Sequence, residues 1–180
     1  MRVSRLICFL LAASAMAQLR YEGNNMLRPD HYREWVWLTS GFDMSYSPTA
    51  AGNPDPFFDN VFVNPESYHA FLRTGDWPDK TVLVLEVRSS QRKGSINQHG
   101  HFQGDNARVE VHVKDTARFP EKKWAFFAFG ESARSAPPAA ANTNCFTCHE
   151  KSGAVDTTFV QFYPILRDIA KQKGTWKLTE

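Results

Sequence analysis

The chain has 180 residues, a formal net charge of +2 at pH 7, 42% hydrophobic residues and 22% charged residues. This composition is typical of one folded domain with a real core. The small net charge gives no electrostatic support to nucleic-acid binding. The 14 Phe and 5 Trp are many for this length and predict a core or pocket built from aromatic side chains.

Residues 1–17 are predicted to be a secretory signal peptide. Arg2 and Arg5 form a basic start, and the apolar run that follows is too short to span a bilayer. Ala15-Met16-Ala17 has the small residues of a cleavage site. A membrane anchor is the alternative. Cleavage would leave residues 18–180 as one domain, would bring the basic residues level with the 19 acidic ones, and would remove Cys8.

The first predicted elements are a short aromatic segment, a strand and a helix. Tyr32–Leu38 is apolar enough to be either a short helix or a strand. Val61–Val63 is a short strand candidate. Asn64 and Pro65 then have the residue types of a helix cap and a first helical position. Gly75 is the predicted end of that helix.

Three further segments predict strands. Thr81–Arg88 is an apolar run, so it is expected to be buried on both faces. Arg108–Lys114 alternates, with its valines on one face and Glu110 and His112 on the other, which is typical of a half-buried strand. Lys123–Phe129 is the third. Short connections between these strands favour antiparallel pairing.

The C-terminal part is predicted to be helical from Asp156 onward, with Pro164 kinking or dividing the helix. Helix, sheet, loop and helix follow one another along the chain. The predicted fold class is therefore α+β, a single domain with a mostly antiparallel β-sheet and flanking helices.

Cys145-Phe146-Thr147-Cys148-His149 has the spacing C-x-x-C-H. In this pattern the two thiols add to the vinyl groups of one haem, and the histidine supplies an axial nitrogen to the iron. The other ring nitrogen of His149 should be held by a backbone carbonyl or a similar acceptor. The sequence thus predicts one covalently attached haem c. Cys145 and Cys148 would attach the haem, and His149 would ligate its iron.

Two other interpretations of the motif are open. A C-x-x-C redox pair normally begins a helix after a strand in a βαβ unit, and the predicted elements contain no such unit. A zinc site needs four ligands, and the sequence has no second cysteine pair. Export favours haem, because c-type haem is attached outside the cytoplasm.

The chain resembles the cytochrome P-460 family, which includes the cytochromes c′-beta, over roughly Tyr32 to Leu166. The resemblance rests on an ordered series of segments: 32–38 (YREWVWL), 58–68 (FDNVFVNPESY), 74–88 (TGDWPDKTVLVLEVR), 111–120 (VHVKDTARFP), 124–129 (WAFFAF), 145–149 (CFTCH) and 156–166 (DTTFVQFYPIL).

This resemblance implies a bacterial periplasmic protein, commonly a homodimer, with one five-coordinate haem. Two activities occur in the family. Cytochromes P-460 oxidise hydroxylamine and carry a lysine bonded to the haem, whereas the c′-beta members lack that bond and bind nitric oxide behind distal phenylalanines. A plain electron carrier is a third possibility, and it would need a sixth ligand such as Met26 or Met44. Both the enzyme and the electron carrier would need a redox partner, which we expect to be a cytochrome.

Single residues decide among these activities. We expect oxidation of hydroxylamine or a related small nitrogen compound, with Lys80 as the lysine best placed for a cross-link. Glu131 and Glu86 are the candidate distal acids for proton transfer. A surface turn for Lys80, and pairing with an arginine for Glu86, are the alternatives.

Two phenylalanines are predicted to lie against the haem. Phe126, Phe127 and Phe129 alternate across a predicted strand, so at least one can face the haem, and Phe127 is the candidate. Phe159 follows the motif closely and is expected to pack beside it. The alternative for Phe127 is a place in the core of the sheet.

Overall fold

The computed structural model describes residues 19–46 and 55–177. The predicted signal peptide, residues 1–17, lies outside them. Within the described ranges, no helix is both long enough and apolar enough to cross a membrane.

The described residues form a five-stranded sheet, a small three-stranded sheet and three helices. The strands are β1 (Tyr21–Glu22), β2 (Asn25–Leu27), β3 (Val36–Phe42), β4 (Phe57–Val63), β5 (Val82–Gln91), β6 (Phe102–Lys114), β7 (Trp124–Gly130) and β8 (Ser135–Ala136). The helices are α1 (Pro65–Thr74), α2 (Asn144–Ser152) and α3 (Pro164–Lys173), with short 3-10 turns at Tyr32–Glu34 and Val160–Phe162.

The large sheet has the order β3-β4-β5-β6-β7, and every neighbouring pair is antiparallel. The small sheet has the order β1-β2-β8. Strands dominate the described chain and helices flank them, so the predicted α+β class is confirmed.

The two faces of the large sheet carry different layers. His112 and Phe126 are register partners on the face covered by α2, which is called the motif face below. Val111 and Phe127 are register partners on the opposite face. Separate buried clusters lie on the two faces, one containing Leu38, Val63, Phe71, Trp77, Leu83, Trp124, Val155 and Leu166, the other Met26, Tyr32, Val82, Val84, Val109, Val111, Val113, Phe127 and Phe129.

Helix α1 occupies the predicted place between Asn64 and Gly75. Gly75 follows the helix at φ 74°, a left-handed conformation that glycine adopts without steric cost. Asn64 stands at the cap position, but its side chain accepts the N–H of Val82 at 2.8 Å instead of a helix amide. The residue type therefore marks the start of the helix while its side chain ties α1 to β5.

Two segments differ from the sequence predictions. Tyr32–Leu38 is neither one helix nor one strand, because a 3-10 turn at Tyr32–Glu34 leads into β3. The prediction of a helix from Asp156 is wrong: Asp156 and Thr157 form a turn with positive φ, and α3 begins only at Pro164. Proline at the first helical position explains that start.

Candidate haem site

The C-x-x-C-H motif lies in the first part of helix α2. The backbone is extended at Thr143 and becomes helical at Asn144, so Cys145 and Cys148 stand three residues apart on one helix face. Both thiols are exposed and unpaired. Phe146 points the other way and is buried, with its ring centroid 4.9 Å from that of Phe126 in an edge-to-face arrangement. The helix thus presents its sulfur atoms outward while an aromatic contact fixes it to β7.

The ring of His149 is held in one orientation. Its Nδ1 donates to the carbonyl oxygen of Thr157 at 2.7 Å, which confirms the predicted backbone acceptor. This hydrogen bond leaves the Nε2 lone pair as the potential metal ligand. Burial lowers the pKa of His149 from its usual 6.5, so the imidazole is neutral at pH 7, as iron ligation requires.

Aromatic rings surround His149. Phe159 and Phe126 have centroids 4.1 and 4.7 Å from the imidazole, and His112 lies 4.8 Å away. His112 is buried between Phe126 and Trp124, and burial puts its pKa well below 6.5. Its Nε2 has no hydrogen-bond partner among the described residues. The alternation along the strand correctly separated His112 from the valines. The face that carries His112 is not exposed to solvent, however, because α2 and its neighbours cover it.

Glu86 and Lys80 lie elsewhere. Glu86 is on the opposite face, where its side chain is 3% exposed and paired with Arg33 and Arg88. Lys80 is ion-paired with Asp115 in a turn before β5. The structure does not bring either residue to His149, and each has a charged partner that gives it a structural role.

Phe127 and Glu131 are also separated from the motif. Phe127 is buried on the opposite face, with Tyr21 and Phe119 rings 6.2 Å away. Glu131 is exposed in the turn after β7, where its backbone carbonyl accepts a hydrogen bond from Arg28 at 3.0 Å. Of the two predicted phenylalanines, the structure therefore brings only Phe159 to His149.

Sequence reasoning missed two acids on the motif face. Asp59 and Glu110 point to this face, because they are register partners of Val87 and Leu85 on β5. Burial raises the pKa of Asp59 above its usual value, Arg108 lowers it, and Glu110 raises it further. Arg108 donates to Glu110 at 2.9 Å. Continuing the strand alternation backward from Val61 and Val63 would have placed Asp59 on their face.

Tyr46 links these acids to the motif. Its ring centroid lies 6.3 Å from that of Phe159. Tyr46 is 73% exposed, and its pKa is raised by partial desolvation against its neighbours and by the nearby charges of Asp59 and Cys148. An acid, a phenol and one of the motif thiols are therefore close enough to influence one another on the same side of the sheet.

These residues fit a haem. Two outward-facing thiols one turn apart, a neutral imidazole with Nε2 directed away from its backbone acceptor, and flanking aromatic rings are the parts that covalent haem attachment and iron ligation use. The site is thus that of a c-type cytochrome.

The chain belongs to the cytochrome P460 family, whose family model matches residues 29–160. That match spans β3 to β8, helices α1 and α2, and the turn at Thr157. Membership implies a haem cofactor. No curated protein matches the chain.

Proposed function

We propose that this chain is an exported cytochrome that oxidises hydroxylamine or a related small nitrogen compound at a single five-coordinate haem. Cys145 and Cys148 would hold the haem through thioether bonds, and His149 Nε2 would ligate the iron. When bound, the haem supplies one-electron redox chemistry and an open coordination position. The electrons would pass to a redox partner cytochrome.

The observation that carries this proposal is the 2.7 Å hydrogen bond from His149 Nδ1 to the Thr157 carbonyl. It fixes the tautomer, keeps the ring in place and raises the basicity of Nε2. His112, Phe126 and Phe159 pack around the same ring. A histidine held in this way is a strong ligand on one side of a haem, and it leaves the other side for substrate.

Substrate oxidation also releases protons, so the site needs a base. Asp59 is the acid we assign to this role. Its carboxylate lies on the motif face, and burial raises its pKa, which makes it a better proton acceptor than a solvated aspartate. Tyr46 is near the Phe159 ring and within electrostatic reach of Asp59, and it would orient the bound substrate or relay its proton.

Nitric oxide binding without turnover is the second candidate, and the placement of Lys80 favours it. The ammonium group of Lys80 is engaged by Asp115 and lies next to Asp79, in a turn that no described contact joins to the motif. A haem without a lysine cross-link would resemble that of the c′-beta members of the family.

The first experiment determines attachment and coordination together. The mass of the tryptic haem peptide should correspond to residues of the Cys145–His149 segment plus one haem, and the reduced protein should be high-spin and five-coordinate. A third attachment from Lys80 would support the cross-linked enzyme. A low-spin, six-coordinate reduced spectrum would contradict the proposal and favour an electron carrier, for which Met44, packed against Gly41 beside Asp59, is the candidate sixth ligand.

The second experiment tests Asp59 directly. Asp59→Asn should lower hydroxylamine turnover by about 100-fold, the lower range of a lost general base, while leaving nitric oxide affinity nearly unchanged. Asp168→Asn, an exposed aspartate on α3, is the matched control and should behave like the wild type. Equal turnover in both variants would exclude Asp59 as the base. Nitric oxide binding with no hydroxylamine turnover in the wild type would establish the second candidate.

Periplasmic location and a homodimer belong to the same proposal. N-terminal sequencing of the exported protein should begin near residue 18. The dimer is supported by the edge strand β3, where Trp37 is 53% and Phe42 is 45% exposed and the outer backbone groups are open to pairing. Sedimentation equilibrium should give twice the chain mass, and Trp37→Lys should return the monomer mass if this edge is the contact.

A further inference from the structure

The carbonyl that holds His149 belongs to a strained turn. Asp156 and Thr157 have φ values of 42° and 64°, a left-handed conformation that costs a residue with a side chain about 1–2 kcal/mol. The turn is closed by a hydrogen bond from the N–H of Thr158 to Val155 O at 2.7 Å. Two consecutive non-glycine residues in this conformation persist only where the surroundings hold them.

A buried ammonium group holds this turn. Lys114 Nζ donates to Asp156 Oδ2 and to the carbonyl of Trp77, each at 2.6 Å. The Lys114 side chain is 13% exposed and that of Asp156 24%, so the pair is shielded from the screening that weakens surface pairs. Lys114 stands on β6 two residues after His112, whose ring contacts His149. The same strand therefore touches the histidine and the turn that orients it.

Two other contacts fix the remaining sides of the turn. The hydroxyl of Thr158 accepts the indole N–H of Trp77 at 2.8 Å and donates to Val155 O at 2.6 Å. On the helix side, a Cβ at Gly153 would lie 2.6 Å from the carbonyl carbon of Thr157, so the turn is seated against the end of α2. With these sides fixed, Lys114 supplies the charged contact to the turn, through Asp156.

We propose that Lys114 is a positioning residue for His149, acting through Asp156 and the Thr157 carbonyl to strengthen the hydrogen bond on Nδ1. The inference rests on the proposed ligation of iron by His149. A stronger Nδ1 hydrogen bond makes the imidazole a better donor, which stabilises oxidised iron and lowers the reduction potential. Lys114 would thus tune the haem without touching it.

The test compares the haem-loaded Lys114→Met protein with Lys122→Met. Lys122 is the matched control because it also pairs with an acid, Glu150 at 2.8 Å beside His149, but at 40% and 48% exposure. In Lys114→Met the iron–histidine stretching band of the reduced protein should shift to lower frequency and broaden, and the reduction potential should rise. Lys122→Met should match the wild type, and Lys114→Arg should restore both values in part.

Asp156→Asn provides the second variant if Lys114→Met does not fold, because asparagine tolerates positive φ while losing the charge. It should move the band and the potential in the same directions. An unchanged band and potential in folded Lys114→Met or Asp156→Asn would overturn the proposal. If the wild type shows no five-coordinate iron–histidine band, it is the proposed coordination that fails, and the potentials of the same variants still decide the role of Lys114.

Discussion

Replacing Gly153 with alanine would place a methyl group against the turn that holds His149. The backbone of Gly153, at φ −73° and ψ 127°, accepts any residue, so glycine is not needed there for its conformation. It is needed for space: the added Cβ would lie 2.6 Å from the Thr157 carbonyl carbon, 2.7 Å from the His149 carbonyl oxygen and 2.8 Å from the Thr157 Cα. All three atoms are backbone, and ordinary contact begins near 3.4 Å.

The magnitude follows from three opposing terms. Alanine reduces the entropy of the unfolded chain, which stabilises by about 0.4–1 kcal/mol. Crowding of backbone costs about 1–3 kcal/mol. Relieving it moves the Thr157 carbonyl away from His149 Nδ1, and the lost hydrogen bond costs about 1 kcal/mol more. We therefore expect Gly153→Ala to lower the free energy of unfolding by about 2 kcal/mol and Tm by about 4–8 °C.

Thermal unfolding of the haem-loaded protein, followed by circular dichroism, measures this change. Gly130→Ala is the matched control, because a Cβ at Gly130 meets no heavy atom within 4 Å, and its stability should lie within about 0.5 kcal/mol of the wild type. If Gly153→Ala proves as stable as Gly130→Ala, the close seating of the turn on α2 is refuted. The iron–histidine band should also shift in Gly153→Ala but not in Gly130→Ala.

Two further predictions concern strain and charge. Thr157→Asn should raise the free energy of unfolding by about 1 kcal/mol, because asparagine tolerates the φ of 64° at this position better than threonine does. An unchanged or lower Tm would contradict the strain. Burial raises the pKa of Glu86, but hydrogen bonds from two arginines and Tyr32 outweigh burial and hold it below 4.5. Glu86 thus stabilises the fold above about pH 4.5, and this contribution is lost as pH falls through the lower folded pKa. In urea unfolding from about pH 7 to about pH 3, the stability difference between the wild type and Glu86→Gln should shrink with acidification; a constant difference would argue against a depressed pKa.

The strands and α1 were predictable because their signals are local. The apolar run Thr81–Arg88 became β5 with Val82, Leu83 and Val84 all buried. Arg108–Lys114 lies within β6 and keeps its valines on one face. Period-two patterns of this kind depend only on neighbouring residues, so they survive in the fold.

The assignment of side chains to layers was not predictable in the same way. Alternation separates Phe126 from Phe127 but does not say which of the two faces α2 covers, and Phe126 proved to be the one beside His149. Glu86 was a candidate distal acid, but the structure shows the alternative, pairing with an arginine, and Arg33 comes from a distant turn. Arg33 and Glu86 are far apart in sequence, so the residue pattern of one strand cannot predict that they pair.

The turn at Asp156 shows a case in which local sequence propensity does not predict the structure. Aspartate before a run of spaced apolar residues is typical of a helix start, and that prediction failed. Lys114 pairs with Asp156 from 42 residues away, and its attraction stabilises a conformation that the residues of the turn would not adopt alone. That a backbone carbonyl would hold His149 was nevertheless predictable, because a ligating imidazole almost always has such a partner; that the carbonyl belongs to Thr157 was not.

Few side chains of α2 are buried, and this has a consequence for the order in which the protein folds. Each neighbouring pair of strands in the large sheet is consecutive along the chain, and such near-neighbour pairing keeps contact order low and folding fast. Helix α2 has one buried side chain, Phe146, and exposed thiols. We therefore expect the sheet to assemble first and the cysteine helix to settle last. The thiols would then be accessible both while the sheet forms and after it is complete, which is what the proposed covalent attachment of haem requires.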